Sequence, residues 1–278
     1  MRNSKLRHRF PRSLIGRSVK SILSGAVLAL LATPTLAAGQ RQGNVLTLGG
    51  GVDVAPRYSG SDKSRVAAAQ VVDYAMANGF FISTTRGLGY GNRVGNLDYS
   101  AALSYRAGRK ERDVSSDSIA SGSDYLRGMG DVKGSAVVVP GLGYRVTDWL
   151  NVQLQAEVPV SERDNGEAVH FGIASPLYTS SENSVTLALT GSWGSSKYMQ
   201  TYYGVSAAQS AASGFARHDA GSGIYAYSLN LDWTHKLTSR WSVLAAAGVT
   251  QLTGEAGDSP VVQKKTSPTG SLKVTYSF

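Results

Sequence analysis

Three histidines outside the basic leader, His170, His218 and His235, are the side chains whose ordinary pKa best suits proton transfer near neutral pH, and the chain has no cysteine. His218 is followed by Asp219, but the pair sits in a Gly/Ser-rich stretch with no serine nucleophile or second orienting group nearby, which reads as a solvated loop. His235 follows Trp233 and Thr234 near a strand end, an interfacial position, and His170 has no partner that the linear sequence identifies. No carboxylate pair has calcium or zinc spacing. Gly49-Gly50-Gly51 is no phosphate loop because no helix follows, and glycines there allow strand curvature or close approach instead. The expectation is a protein without catalytic residues, metal or cofactor.

One cluster carries chemistry of a different kind. Arg109-Lys110-Glu111-Arg112-Asp113 joins cations and anions beside a strand end, and Tyr125, Leu126 and Met129 follow it. Charge-assisted contacts around a small apolar anchor make a docking surface. Its partner would be a periplasmic enzyme if the segment faces inward, or lipopolysaccharide phosphates if it faces outward. The plainer reading is a solvated loop.

The elements that position these residues begin after an export signal. Arg2, Lys5, Arg7, Arg9, Arg12, Arg17 and Lys20 precede an apolar run from Ile22 to Leu31 and the small-residue sequence Thr35-Leu36-Ala37. Residues 1–37 therefore read as a cleaved Sec signal peptide, and 38–278 as one domain. The leader holds seven of the 28 basic residues and none of the 19 acids, leaving 21 bases against 19 acids. The basic pI belongs to targeting and excludes a nucleic-acid footprint. Without cysteine there is no lipid anchor, disulfide framework or thiolate site.

Beyond the leader, the dominant pattern is alternation. Leu97, Tyr99, Ala101, Leu103 and Tyr105 interleave with Asp98, Ser100 and Ser104. Leu150–Val158, Val185–Trp193, Tyr225–Trp233 and Trp241–Val249 repeat the pattern, as does Ser271–Phe278, where Tyr276 and Phe278 form an aromatic ending. Period two is the signature of strands with one apolar face, and runs of about ten residues suit a tilted bilayer crossing. Weaker strands fit at 44–58, 66–76, 80–90, 132–145, 167–178 and 198–206, and no helical period competes. Asn78-Gly79, Thr147-Asp148, Ser181–Asn183 and Thr238–Arg240 read as short turns. The fold expected is all-β, a single-domain antiparallel transmembrane β-barrel of twelve strands, with ten as the alternative. A soluble lipocalin-like barrel would carry the same alternation with its apolar face turned inward. Twelve strands, counted this way, place both termini in the periplasm with 59–65, 91–95, 207–223 and 253–267 outward. The same count makes Ala107–Gly130 periplasmic, whereas a ten-strand barrel would put it outside.

Several segments resemble one family. Gly49-Gly50-Gly51-Val52-Asp53-Val54-Ala55-Pro56-Arg57-Tyr58-Ser59-Gly60-Ser61-Asp62 is similar to a Gly-rich opening strand ending in Pro-x-Tyr-x-Gly-Ser-Asp. Arg86-Gly87-Leu88-Gly89-Tyr90, Ser104-Tyr105-Arg106-Ala107-Gly108-Arg109, Tyr202-Tyr203-Gly204-Val205-Ser206 and Asp258-Ser259-Pro260-Val261-Val262 follow in order. Together they resemble the MipA/OmpV family of MltA-interacting outer-membrane proteins. The resemblance implies a scaffold in the outer membrane of a Gram-negative cell. It would link a lytic murein transglycosylase to a bifunctional peptidoglycan synthase (a penicillin-binding protein), with no catalytic residues. It also implies contact with membrane lipid, lipopolysaccharide and the barrel-assembly machinery, which would read Tyr276 and Phe278. A passive pore or a surface adhesin is the alternative.

Overall fold

The computed structural model describes residues 43–115 and 118–278, so the expected signal peptide lies outside the described residues. Twelve strands form a closed antiparallel barrel. They are β1 (Val45–Pro56), β2 (Ser64–Ala75), β3 (Phe80–Ser83), β4 (Gly87–Val94), β5 (Leu97–Arg106), β6 (Ser135–Thr147), β7 (Leu150–Pro159), β8 (Ala168–Thr179), β9 (Asn183–Gly194), β10 (Gly223–Lys236), β11 (Trp241–Leu252) and β12 (Thr266–Ser277). Sequence neighbours pair throughout, and β12 closes on β1 from Thr47↔Ser277 to Val54↔Gly270. Closure leaves no unpaired sheet edge between first and last strands, which a lipid environment demands. A twelve-residue strand measures about 40 Å and, tilted near 45°, spans a hydrocarbon core of about 30 Å.

Exposure decides which face meets lipid. Leu229, Leu231 and Trp233 on β10 are 43%, 43% and 38% exposed, while Ala188 and Thr190 on the paired strand are 2% and 3% exposed. Leu272, Val274 and Phe278 also lie on the outside. A water-soluble barrel would turn these side chains inward, so the outward apolar band makes this a membrane-spanning barrel. Among the described residues no helix is long and apolar enough to cross a membrane.

The strand total of twelve agrees with the sequence reading, but two of its members do not. Residues 80–90 form a hairpin of two short strands rather than one crossing. Ser83 Oγ accepts from the backbone N–H groups of Thr85 and Arg86, and Gly87 adopts φ +85°, so a compact turn interrupts the run. Residues 198–206 are not a strand either. Ser195 caps the helix α1 (Ser196–Tyr203) by accepting from the Tyr198 N–H, and Gly204 ends it. Ser206 and Gln209 then form a capping box that starts α2 (Ala207–Ser213). A third short helix, α3, spans Gly254–Gly257.

One strand gained and one lost leave the total unchanged but alter what lies between. The segment after β5 now follows an odd number of crossings, so residues 107–115 and 118–134 sit at the barrel end opposite both termini. Of the expected 91–95 loop, Gly91–Val94 belongs to β4, and Gly95 lies in the turn that joins β4 and β5 beside the termini. This topology excludes the ten-strand alternative and sets the described residues of Ala107–Gly130 at the end away from the termini, where the sequence count had them beside the termini.

The apolar core lies at one end rather than along the barrel axis. Tyr198, Met199 and Tyr203 from α1 pack on Tyr225, Leu252 and Ala256. Leu126 and Met129 pack with Tyr58, Val205 and Val261. Residues 107–115 and 118–134, α1, α2 and 253–265 thus form a folded plug in the mouth.

Candidate functional site

Beneath the plug lies a cavity of about 320 Å³ lined by strand residues below and plug residues above. Its wall carries a polar chain across four strands. Arg106 at the end of β5 donates from Nε to Glu157 Oε2 on β7 at 2.7 Å. His170 Nε2 on β8 stands 3.5 Å from Glu157 Oε1, and its Nδ1 is 2.9 Å from Ser192 Oγ on β9. All four face the lumen because their positions share the inward parity of their strands. Arg106 and Glu157 are 5% and 9% exposed at the side chain, so the pair stands in low dielectric and each charge depends on the other. Arg106 also donates to the Gly166 carbonyl at 2.7 Å and lies over the Tyr198 ring, tying wall to plug.

The plug contributes tyrosines and a second guanidinium. Tyr198 OH donates to Tyr225 OH at 3.2 Å, and Ser59 Oγ is 2.8 Å from Tyr203 OH. Ser259 Oγ donates to the Tyr203 carbonyl, and Tyr58 OH donates to the Val261 carbonyl at 2.9 Å. Burial raises the hydroxyl pKa of Tyr58, Tyr198, Tyr202 and Tyr203, keeping them neutral hydrogen-bonding groups. Arg109 donates from Nη1 to the Tyr202 carbonyl at 2.6 Å and from Nη2 to the Thr201 carbonyl at 3.3 Å, at the C-terminal end of α1. Burial pulls its pKa down from the usual arginine value.

The sequence-predicted docking residues meet different fates. Arg109 is 4% exposed and Leu126 fully buried, so both are parts of the plug's interior rather than an open docking face. Lys110 pairs with Asp131 at 2.7 Å, and Glu111 Oε2 accepts from the Gly128 and Gly130 N–H groups. Arg57 pairs with Asp113 and holds its carboxyl below the usual range. The charged cluster therefore fastens the segment to itself. Arg112 remains exposed, and Tyr125, 41% exposed, leans on Phe215 with ring centroids 5.1 Å apart.

The histidines also differ from their sequence reading. His170 has two neighbours on other strands, Ser192 and Glu157, which no linear spacing could reveal. His218 is not a free loop residue: its Nε2 lies 2.8 Å from the Glu255 carbonyl, and its backbone bridges Val205. It makes no pair with Asp219, which bonds Arg217. His235 stacks beside Trp233 near the strand end, as expected. Ser192, His170 and Glu157 share the composition of a nucleophilic triad. The carboxylate, however, is already held by Arg106.

Fold and site together define a membrane-spanning barrel with a plugged mouth and a polar luminal cavity. The chain belongs to the MipA family, since the family model described as "MltA-interacting protein MipA" matches residues 48–278. The MltA-interacting protein of Escherichia coli (strain K12) is 28% identical over 233 residues, covering 84% of this chain and 90% of that protein. Among solved structures, the KdgM porin aligns with TM-score 0.44 at 11% identity, over 84% of this chain and 99% of that one. The NanC porin aligns at 0.45 and 10%, over 83% and 98%. Four of the five segments quoted above for the family resemblance meet at this site: Tyr58, Arg109, Tyr203, Val205, Ser259 and Val261 all pack or bond within the plug.

Proposed function

We propose that this chain is an outer-membrane scaffold that holds an MltA-type lytic transglycosylase at its periplasmic end. The family match over 48–278 carries the reading, because the curated relatives bear the name MltA-interacting protein. The structure supports it by the contrast between the two ends. Long segments fold into a plug at one mouth, while the other has only short turns at 76–79, 95–96, 148–149, 180–182 and 237–240. Short turns mark the periplasmic side of such barrels. Exposed Asp148, Glu182, Lys236 and Arg240 give that end a mixed-charge rim. A peptidoglycan synthase would join through the bound enzyme or the same rim. The chain acts without catalysis of its own. Tyr276 and Phe278 extend the lipid-facing row of β12 and serve as the assembly signal, while lipid and lipopolysaccharide contact the outer band and the plugged mouth.

The test is binding of purified transglycosylase to the detergent-solubilised barrel on a biosensor, with planar-bilayer conductance measured in parallel. Saturable binding that weakens about tenfold in an Asp148→Lys, Glu182→Lys variant, with no steady conductance, is the expected result. Steady conductance with no binding would replace the scaffold by a passive pore.

A further inference from the structure

Five buried side-chain polar atoms have no hydrogen-bond partner among the described residues, and four of them belong to residues lining the one cavity described above. They are Arg109 Nε, Tyr202 OH, Thr190 Oγ1 and His170 Nε2, the last of these standing 3.5 Å from Glu157 Oε1. Buried polar groups are nearly always satisfied, so orphans gathered around a single space point to what belongs in that space. Arg109 and Tyr202 come from the plug, Thr190 and His170 from the strand wall beneath it, and all four residues line the same space. Strand packing alone does not account for their gathering.

The charge of the lining identifies the class of occupant. Glu157 is held by Arg106, and Asp53, the other carboxylate on the wall, is paired with Lys273 at 3.0 Å. Arg109 and Arg65 also line the cavity, and neither forms an ion pair with a carboxylate among the described residues. Both donate to backbone carbonyls instead: Arg109 to Thr201 and Tyr202, Arg65 to Ser118 and Ala120. A guanidinium that is 4% exposed and lacks a carboxylate partner is held only by carbonyl dipoles at the end of α1. Water would satisfy the hydroxyls but would leave that charge unmatched. An oxyanion completes Arg109, and the tyrosine, serine and threonine hydroxyls around it suit hydroxyl or carbonyl groups on the rest of the molecule.

We propose that the cavity under the plug is a binding site for a small organic oxyanion, a carboxylate or phosphate monoester on a hydroxyl-rich body, with Arg109 at its anionic end and Tyr202 and Thr190 along it. The site is independent of the transglycosylase-binding rim, which lies at the opposite end of the barrel.

Isothermal titration of the full barrel in detergent tests this with three probes: glucuronate, glucose 1-phosphate and glucose. One of the two anions should bind saturably at one site, and glucose at least tenfold more weakly. The better anion identifies the source of the charge. Arg109→Gln should weaken that binding at least tenfold. Tyr202→Phe, which removes only a hydroxyl and keeps the packing, should weaken it several-fold. Retention of the heat-modifiable gel shift shows that each variant is folded, and if Arg109→Gln is not, Tyr202→Phe decides alone. Absence of saturable binding by both anions overturns the proposal. So does equal binding of glucose, or anion binding unchanged in the folded variants.

Discussion

Glu157 sits at the junction of the luminal network, between the Arg106 guanidinium and the His170 ring, and is almost fully buried. Its value is best judged by asking what its loss would strand. Replacing Glu157 with Gln keeps the shape but leaves the Arg106 charge buried and unpaired, a cost of about 3 kcal/mol. The unfolding midpoint of the detergent-solubilised barrel should fall accordingly, and a second change, Arg106→Gln, should restore part of the loss. If Glu157→Gln unfolds at the wild-type midpoint, the pair contributes nothing and Arg106 is held by the Gly166 carbonyl alone. Each residue in this network was visible in sequence as a polar inward position. Their meeting was not, because it depends on the registers of β5 through β9, and a shift of one residue would turn the row outward.

The glycines of β1 show how an element meets its neighbour. A Cβ on Gly49 would stand 2.4 Å from the Val274 carbonyl oxygen, and one on Gly51 would stand 2.0 Å from that of Leu272. Gly50, on the other face, has its nearest neighbour at 3.6 Å. The inward side of β1 is therefore pressed against the β12 backbone where the barrel closes, while the outward side is open. Gly51→Ala should reduce the folded, heat-modifiable fraction strongly, and Gly50→Ala should leave it close to wild type. Equal behaviour of the two would mean that closure tolerates a side chain there. The triple glycine was readable as a place of curvature or close approach; which of its members carries that demand follows only from the β1–β12 register. Residues 198–206 failed as a strand for a related reason. Ser195, Gly204 and the Ser206/Gln209 capping box are legible helix punctuation, but the expectation of uniform strands outweighed them.

At the scale of the molecule, sidedness is the property with the widest consequences. The hairpin at 80–94 returns the chain to the end it left, so the charged residues 107–115 and 118–134 join the plug at the end away from both termini. The chain has no native cysteine, and a single Ser115→Cys gives an exposed reporter in that segment. It should react with a membrane-impermeant thiol reagent on intact cells, and Asp148→Cys at the turn end should react only after the outer membrane is permeabilised. The reverse pattern would return 107–134 to the periplasmic side and reopen it as a docking surface for the transglycosylase.

The amino-acid sequence by itself determined the barrel, because period-two alternation is a local property that every strand carries in its own residues. It also carried the segments that mark the family, and the apolar rows, the last of them ending in Tyr276 and Phe278. It pointed to the glycine curvature of β1 and to the absence of a linear catalytic pattern. Only the tertiary structure decided which apolar face meets lipid, how the hairpin at 80–94 sets the parity of every later loop, and that Arg109 and Leu126 are interior rather than free. It alone brought Arg106, Glu157, His170 and Ser192 into one row and set Arg109, Tyr202 and Thr190 with them around one cavity. These are matters of register and closure, set by pairings between residues as far apart as Thr47 and Ser277, and no local pattern encodes them.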